Sequence, residues 1–123
     1  MRYLTDYKRV HGHGSAHSGA HHYWNTQVSS AALVILVPLF IFTFGHALGM
    51  EYADAVEYYS RPLPVLIAAL TMIVGLIHFK NGAQVMFEDY TKAKLRISLL
   101  LLSTAFSYVC IGLVLFALVK LAL

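Results

Sequence analysis

Three uncharged apolar windows constrain the fold of this chain more than any other feature. They contain 23, 18 and 23 residues and cover 28–50, 62–79 and 97–119. A helix needs about 20 apolar residues to cross the hydrocarbon core of a bilayer. The second window reaches that length if its helix continues past Lys80 to Phe87. We therefore predict an all-α membrane protein with three transmembrane helices, over about residues 28–49, 63–88 and 97–120.

The composition agrees with a membrane protein. Hydrophobic residues make up 59% of the chain and charged residues 12%, which is too apolar for an ordinary soluble domain. The first apolar window is too long for the 7–15-residue core of a signal peptide, so we expect it to be a retained span. Five of the seven histidines precede it. We divide the chain into a histidine-rich juxtamembrane segment, 1–27, and a three-helix anchor, 28–123.

The charges predict the orientation of the spans. Three basic residues precede the first window and three lie in the second loop, whereas the first loop has one basic and three acidic residues. The positive-inside rule then places the N-terminus and the second loop in the cytoplasm. Because topology explains the basic residues, we expect no nucleic-acid partner.

Small residues of the third helix are expected at helix contacts, namely Ser98, Ser103, Thr104, Ser107 and Gly112.

His78 is the first candidate for a chemical role, because an ionisable side chain within a span is costly and often functional. Gly75 and Gly82 are its neighbours at i−3 and i+4 on the same helix face. They leave a clearing of the kind that a haem needs when a histidine binds its iron axially. The alternative is a histidine that hydrogen-bonds a neighbouring helix, with glycines that permit close packing.

A six-coordinate haem needs a second ligand. His46 is the other histidine within a span, but it lies near the outer end of the first span. We therefore expect an interfacial His46 and a second ligand from a partner chain.

Lys80 lies about 200° round the helix from His78. We expect Lys80 to extend towards the cytoplasmic surface or to pair with a carboxylate; a role in proton supply or quinone binding is the alternative.

Glu88, Asp89 and Tyr90 end the second predicted helix. Carboxylates there oppose the helix dipole by up to about 1 kcal/mol each, and the basic residues at 92, 94 and 96 are near enough to offset this. The group is either a charged interfacial cap or a quinone site. In the second case the Tyr90 phenol donates a hydrogen bond to a quinone carbonyl, and Asp89 orients the site or relays a proton.

The N-terminal histidines could instead bind a metal ion. His13, His17 and His21 are spaced four residues apart, but glycines at 12, 14 and 19 disfavour a helix through 11–19. No cysteine or carboxylate completes a recognised ligand spacing. A solvated, pH-sensitive segment is the expectation.

Two motifs carry a resemblance to a known family. His-x-Lys-x-Gly-x-x-x-x-x-Glu-Asp-Tyr is present as His78 to Tyr90, and Gly-Ser-Ala-x-x-Gly-x-x-His-aromatic-Trp as Gly14 to Trp24. With the length and the three spans, they resemble the small hydrophobic membrane-anchor subunits of succinate dehydrogenase. This enzyme is the succinate:quinone oxidoreductase of respiratory complex II, and the resemblance is to its alphaproteobacterial and mitochondrial form.

The resemblance implies that His78 is an axial ligand of the iron of haem b, and that a second, cytochrome b-type anchor subunit supplies the other ligand. It implies that Tyr90 contacts ubiquinone, with Asp89 beside it. The chain would bind iron–sulfur and flavoprotein subunits, which hold the clusters and FAD and oxidise succinate. The chain itself would not catalyse that oxidation. The bacterial cytoplasmic membrane is the expected location, rather than the mitochondrial inner membrane.

The residues after Trp24 depart from the family pattern. The family has Trp-x-Gln-Arg-x-Thr-Ala, whose arginine lies near the haem propionates, whereas this chain has Gln27 at the arginine position. Gln27 is therefore a candidate propionate contact that can donate hydrogen bonds without a positive charge.

Two other functions stay open: a structural anchor without haem, and a small proton or metal transporter subunit that uses His78, Lys80 and the N-terminal histidines.

Overall fold

The computed structural model describes residues 5–11 and 19–122, and these residues form helices and short connections without a strand. The elements are α1 Asp6–His11, α2 Gly19–Ala47, α3 Tyr52–Ser60, α4 Pro62–Tyr90 and α5 Ala93–Ala122. Three of them, α2, α4 and α5, are long and apolar enough to cross a membrane. The prediction of an all-α protein with three spans is confirmed.

Helix α4 is the central span. It packs along α2 and along α5, whereas α2 and α5 barely contact each other within the described residues. Neighbouring spans run antiparallel, so that Ser29 of α2 lies opposite His78 of α4, and Leu36 lies opposite Thr71. Only residues 91 and 92 connect α4 to α5, and Ala93 at the start of α5 takes the left-handed φ of 45°.

The side chains buried between the described helices are mostly small or polar. The buried apolar residues are Pro64, Ile67, Ala68 and Ala83, and the buried polar residues are Ser29, Asn81 and Ser107. Small side chains allow membrane helices to approach closely. The expectation for the third helix is confirmed for Ser107, which is 1% exposed, whereas Ser98 and Gly112 are exposed in the chain by itself and stay a prediction.

Two helical stretches extend beyond the predicted spans. Helix α2 begins at Gly19, nine residues before the predicted start, and crosses the boundary drawn at residue 27. Hydropathy marks where a helix enters lipid, and nothing between residues 20 and 27 breaks a helix. The first loop contains the short helix α3, which the sequence pattern did not predict. The predicted absence of helix through 11–19 falls mainly on 12–18, outside the described residues.

Candidate functional site

His78 contacts α2 through one nitrogen of its ring. Its Nδ1 lies 3.0 Å from the Oγ of Ser29, which is 49 residues earlier in the chain. Ser29 is only 7% exposed, so this contact is enclosed between α2 and α4. A hydrogen bond at Nδ1 fixes the orientation of the ring and leaves Nε2 as the nitrogen that can bind a ligand.

Gly75 and Gly82 flank His78 along α4, as predicted. A Cβ atom built on either glycine meets no other side chain or helix within 4 Å. The structure therefore has open space along α4 on the face that these glycines share with His78. This clearing fits a flat cofactor bound through the histidine, and equally a helix of another chain that approaches closely.

A groove of about 520 Å³ opens on the other flank of His78, between α2 and α4. Asn81 lines it, is 6% exposed, and makes no side-chain hydrogen bond to another described residue. The remaining lining residues are Trp24, Asn25, Val28, Ser29, Ala32, Val74, Ile77 and Lys80. Helix α4 thus has open space on both sides of His78.

Lys80 points towards α5. Its Nζ lies 5.7 Å from the centre of the Tyr108 ring, which is within the range of a cation–π contact. The expected direction away from His78 is confirmed. Of the two environments expected for its amine, pairing with a carboxylate is not found among the described residues. In the described part of the chain the one ion pair joins Arg61 to Glu57, at the opposite end of α4.

The C-terminal end of α4 carries the proposed quinone residues. Tyr90 is 85% exposed, Asp89 is exposed, and neither side chain hydrogen-bonds another described residue. Glu88 accepts a hydrogen bond from Gln84. Twelve residues separate Tyr90 from His78, a rise of about 18 Å along the helix, so the two lie in separate places.

The basic residues after α4 do not pair with its carboxylates. Arg96 instead donates two hydrogen bonds, of 3.1 and 2.9 Å, to the carbonyl oxygen of Thr91, the residue that follows α4. A cation next to the last carbonyls of a helix favours the negative end of the helix dipole. The expected charge compensation therefore takes place at the backbone.

Gln27 lies away from His78. It is two residues before Ser29 and therefore about 200° round α2 from it. Its amide donates a 3.0 Å hydrogen bond to the Tyr23 hydroxyl on the exposed surface.

His22 is on the same face as Ser29, and its buried Nε2 has no hydrogen-bond partner in the described part of the chain.

His46 does not join His78. His46 is exposed, and its ring centre lies 5.2 Å from that of Tyr58 at the opposite end of the spans. Among the described residues no three histidine, cysteine, aspartate or glutamate side chains are grouped as metal ligands. His13 and His17 lie outside the described residues. Among the predicted site residues that are described, the structure brings together His78 and the clearing beside it.

Three residues of this region were not predicted from the sequence: Ser29, Asn81 and Tyr108. Asn81 and Tyr108 gave no signal, because their neighbours are set by helix packing. A signal for Ser29 was present, since it stands where the family pattern has threonine and so keeps the hydroxyl group.

Known proteins resemble this chain over most of its length. It matches the family of succinate dehydrogenase/fumarate reductase transmembrane subunits over residues 1–119. It is 38% identical to a succinate dehydrogenase hydrophobic membrane anchor subunit of Paracoccus denitrificans, over its whole length and 95% of that protein. It is 32% identical to one of Rickettsia bellii, over 80% of this chain and 79% of that protein.

No solved structure matches the chain. The family match and the full-length relative nevertheless agree with the three apolar helices. The chain belongs to the succinate dehydrogenase/fumarate reductase transmembrane subunit family.

Proposed function

We propose that the chain is the membrane anchor subunit of a succinate dehydrogenase, and that it supplies an axial ligand for haem b and part of a ubiquinone site. Its relatives are named as hydrophobic membrane anchor subunits of that enzyme. The finer assignments to His78, Tyr90 and Asp89 rest on the residues themselves and on the motif they form.

The observation that carries the haem assignment is the surrounding of His78. One ring nitrogen faces Ser29, and Gly75 and Gly82 leave open space along the same helix face. These residues fit a histidine-ligated haem, which when bound supplies a one-electron carrier inside the membrane. A second ligand for the iron would come from the second anchor subunit, because His46 lies at the far end of the spans.

The quinone assignment uses the exposed end of α4. Tyr90 and Asp89 have no partner among the described residues, so a neighbouring subunit can complete a site around them. The phenol donates a hydrogen bond to a quinone carbonyl, and the carboxylate orients the headgroup or relays a proton. Gln27 stays a proposed propionate contact, and its amide must turn from Tyr23 to make it.

The proposed partners are the second anchor subunit, the iron–sulfur subunit and the flavoprotein subunit. The FAD and the iron–sulfur clusters belong to the last two. The basic N-terminus and the basic residues after α4 orient the spans with these ends in the cytoplasm, where the enzyme subunits dock. The location is the bacterial cytoplasmic membrane.

The test is a reduced-minus-oxidised absorption spectrum of the purified complex, with His78→Ala compared with His46→Ala. We expect a b-type signal that His78→Ala abolishes and His46→Ala preserves. A complex that oxidises succinate but shows no b-type signal would be a structural anchor without haem. Ion flux through the chain in liposomes, with no copurifying flavoprotein, would instead identify a transporter subunit.

A further inference from the structure

Ser29 makes two polar contacts through one hydroxyl group. Its Oγ lies 2.9 Å from the carbonyl oxygen of Thr26, one turn earlier in α2, and 3.0 Å from His78 Nδ1. A hydroxyl has one proton to donate, whereas a carbonyl oxygen can only accept. The two distances together therefore limit where the protons lie.

One arrangement of protons satisfies both contacts. The Ser29 hydroxyl donates to the Thr26 carbonyl, and its oxygen accepts a hydrogen bond from Nδ1–H of His78. In the reverse arrangement the hydroxyl donates to the ring, and two oxygens with lone pairs face each other at 2.9 Å with no proton between them. The geometry therefore favours the tautomer with its proton on Nδ1.

That tautomer leaves the Nε2 lone pair free, which is the form of imidazole that binds iron. We propose that Ser29 is a positioning residue that holds His78 in the tautomer and ring orientation required for haem ligation. This inference rests on the proposed haem-binding function. It adds a residue of α2, acting through His78, to the residues that would determine the properties of the haem iron.

Ser30 supplies a matched control. It is the next residue on α2, and its Oγ also lies 2.9 Å from the Thr26 carbonyl oxygen, but it makes no hydrogen bond to His78. Ser30→Ala therefore removes the same kind of hydroxyl-to-carbonyl bond without changing the ring. Ser29→Thr keeps a hydroxyl at the position and tests for rescue.

The experiment is a redox titration of the whole complex, followed by its b-type absorption, for Ser29→Ala, Ser29→Thr, Ser30→Ala and His78→Ala. A bond from Nδ1–H makes imidazole a stronger donor to iron. We expect Ser29→Ala to raise the midpoint potential and to weaken haem retention by about 10- to 100-fold, the usual effect of removing an outer partner of a metal ligand. Ser29→Thr and Ser30→Ala should stay near wild type.

The outcomes separate the two proposals. If His78→Ala keeps the b-type signal, the haem assignment itself is wrong. If His78→Ala loses the signal while Ser29→Ala matches wild type in potential and haem retention, only the role of Ser29 is wrong. Equal shifts in Ser29→Ala and Ser30→Ala would also overturn that role, because they would reflect a general disturbance of α2.

A second measurement covers the case in which Ser29→Ala does not assemble. Nitrogen-15 NMR of histidine-labelled wild-type complex, produced without haem, reports which ring nitrogen of His78 carries the proton. The His78 signals are identified by their absence in His78→Ala. A proton on Nδ1 supports the proposal, and a proton on Nε2 overturns it.

Discussion

The Nζ of Lys80 lies 5.7 Å from the centre of the Tyr108 ring, and this contact joins α4 to α5 at the level of the adjacent Phe79–Phe106 ring pair. Lys80 is the only lysine or arginine of α4. A cation over the face of an aromatic ring is attracted by the ring quadrupole, and the attraction grows when water is excluded. Lys80 therefore has a stabilising partner that is not a carboxylate.

We predict that Lys80 and Tyr108 are energetically coupled. A double-mutant cycle with Lys80→Met and Tyr108→Leu, measured by unfolding of the complex in detergent, should give a coupling of about 0.5–2 kcal/mol. Tyr108→Phe keeps the ring and should keep most of the coupling. Strictly additive effects of the two single variants would contradict a direct contact.

Ser107 should not tolerate a larger side chain. It is 1% exposed, and its neighbours in sequence, Phe106 and Tyr108, contact α4. We predict that Ser107→Leu destabilises the complex by about 1–3 kcal/mol through overpacking. Ser98→Leu is the matched control, since Ser98 is an exposed serine on the same helix. The readout is the thermal unfolding midpoint, and equal effects of the two variants would argue against close packing at Ser107.

Tyr90→Phe should impair the reaction with quinone more than the oxidation of succinate. The variant removes the proposed hydrogen bond to the quinone, and we predict a loss of about three- to tenfold in ubiquinone reduction. Reduction of an artificial dye by the flavoprotein and iron–sulfur subunits should change little. Tyr52→Phe, in the loop at the other end of the spans, is the control. Parallel loss of both activities would indicate damaged assembly.

Tyr59 should respond to alkaline pH. Its hydroxyl is buried without a partner in the described part of the chain, and this burial, with a smaller effect of Tyr58, raises the pKa of Tyr59 above its usual value of 10.0. The unfolded chain then ionises first, so this contribution to stability is present below about pH 10 and is lost as the pH rises towards the higher folded pKa.

Ultraviolet titration of the wild type minus Tyr59→Phe isolates this phenol. We expect the difference spectrum to show a tyrosine that ionises above about pH 10, and the stability of Tyr59→Phe to fall less steeply above that pH. A difference spectrum in which the Tyr59 phenol ionises at the ordinary pKa of tyrosine would contradict the expectation.

The spans and the clearing beside His78 could be predicted, because both are local properties. Hydropathy depends on about 20 consecutive residues, and Gly75, His78 and Gly82 are related by the helix period alone. The start of α2 could not be predicted in the same way, since a helix continues into polar sequence wherever nothing breaks it.

The contacts between spans could not be predicted from spacing. Ser29 and His78 are 49 residues apart, and Lys80 and Tyr108 meet only because α4 and α5 pack in one register. The orientation of Gln27 was likewise hidden, because a motif gives a position along the chain without the face of the helix that carries it. Arg96 was expected near the end of α4, but that both its donors reach one backbone carbonyl could not be predicted from spacing.

The central position of α4 has a consequence for biosynthesis. The spans leave the ribosome in the order α2, α4, α5, and the contacts between them run chiefly between spans that are consecutive in this order. No span has to wait for a distant, later one before it leaves the translocon. When Tyr90 has been synthesised, His78, Ser29 and both glycines of the clearing are already present. The α2–α4 hairpin can therefore meet a partner subunit while α5 is still being translated.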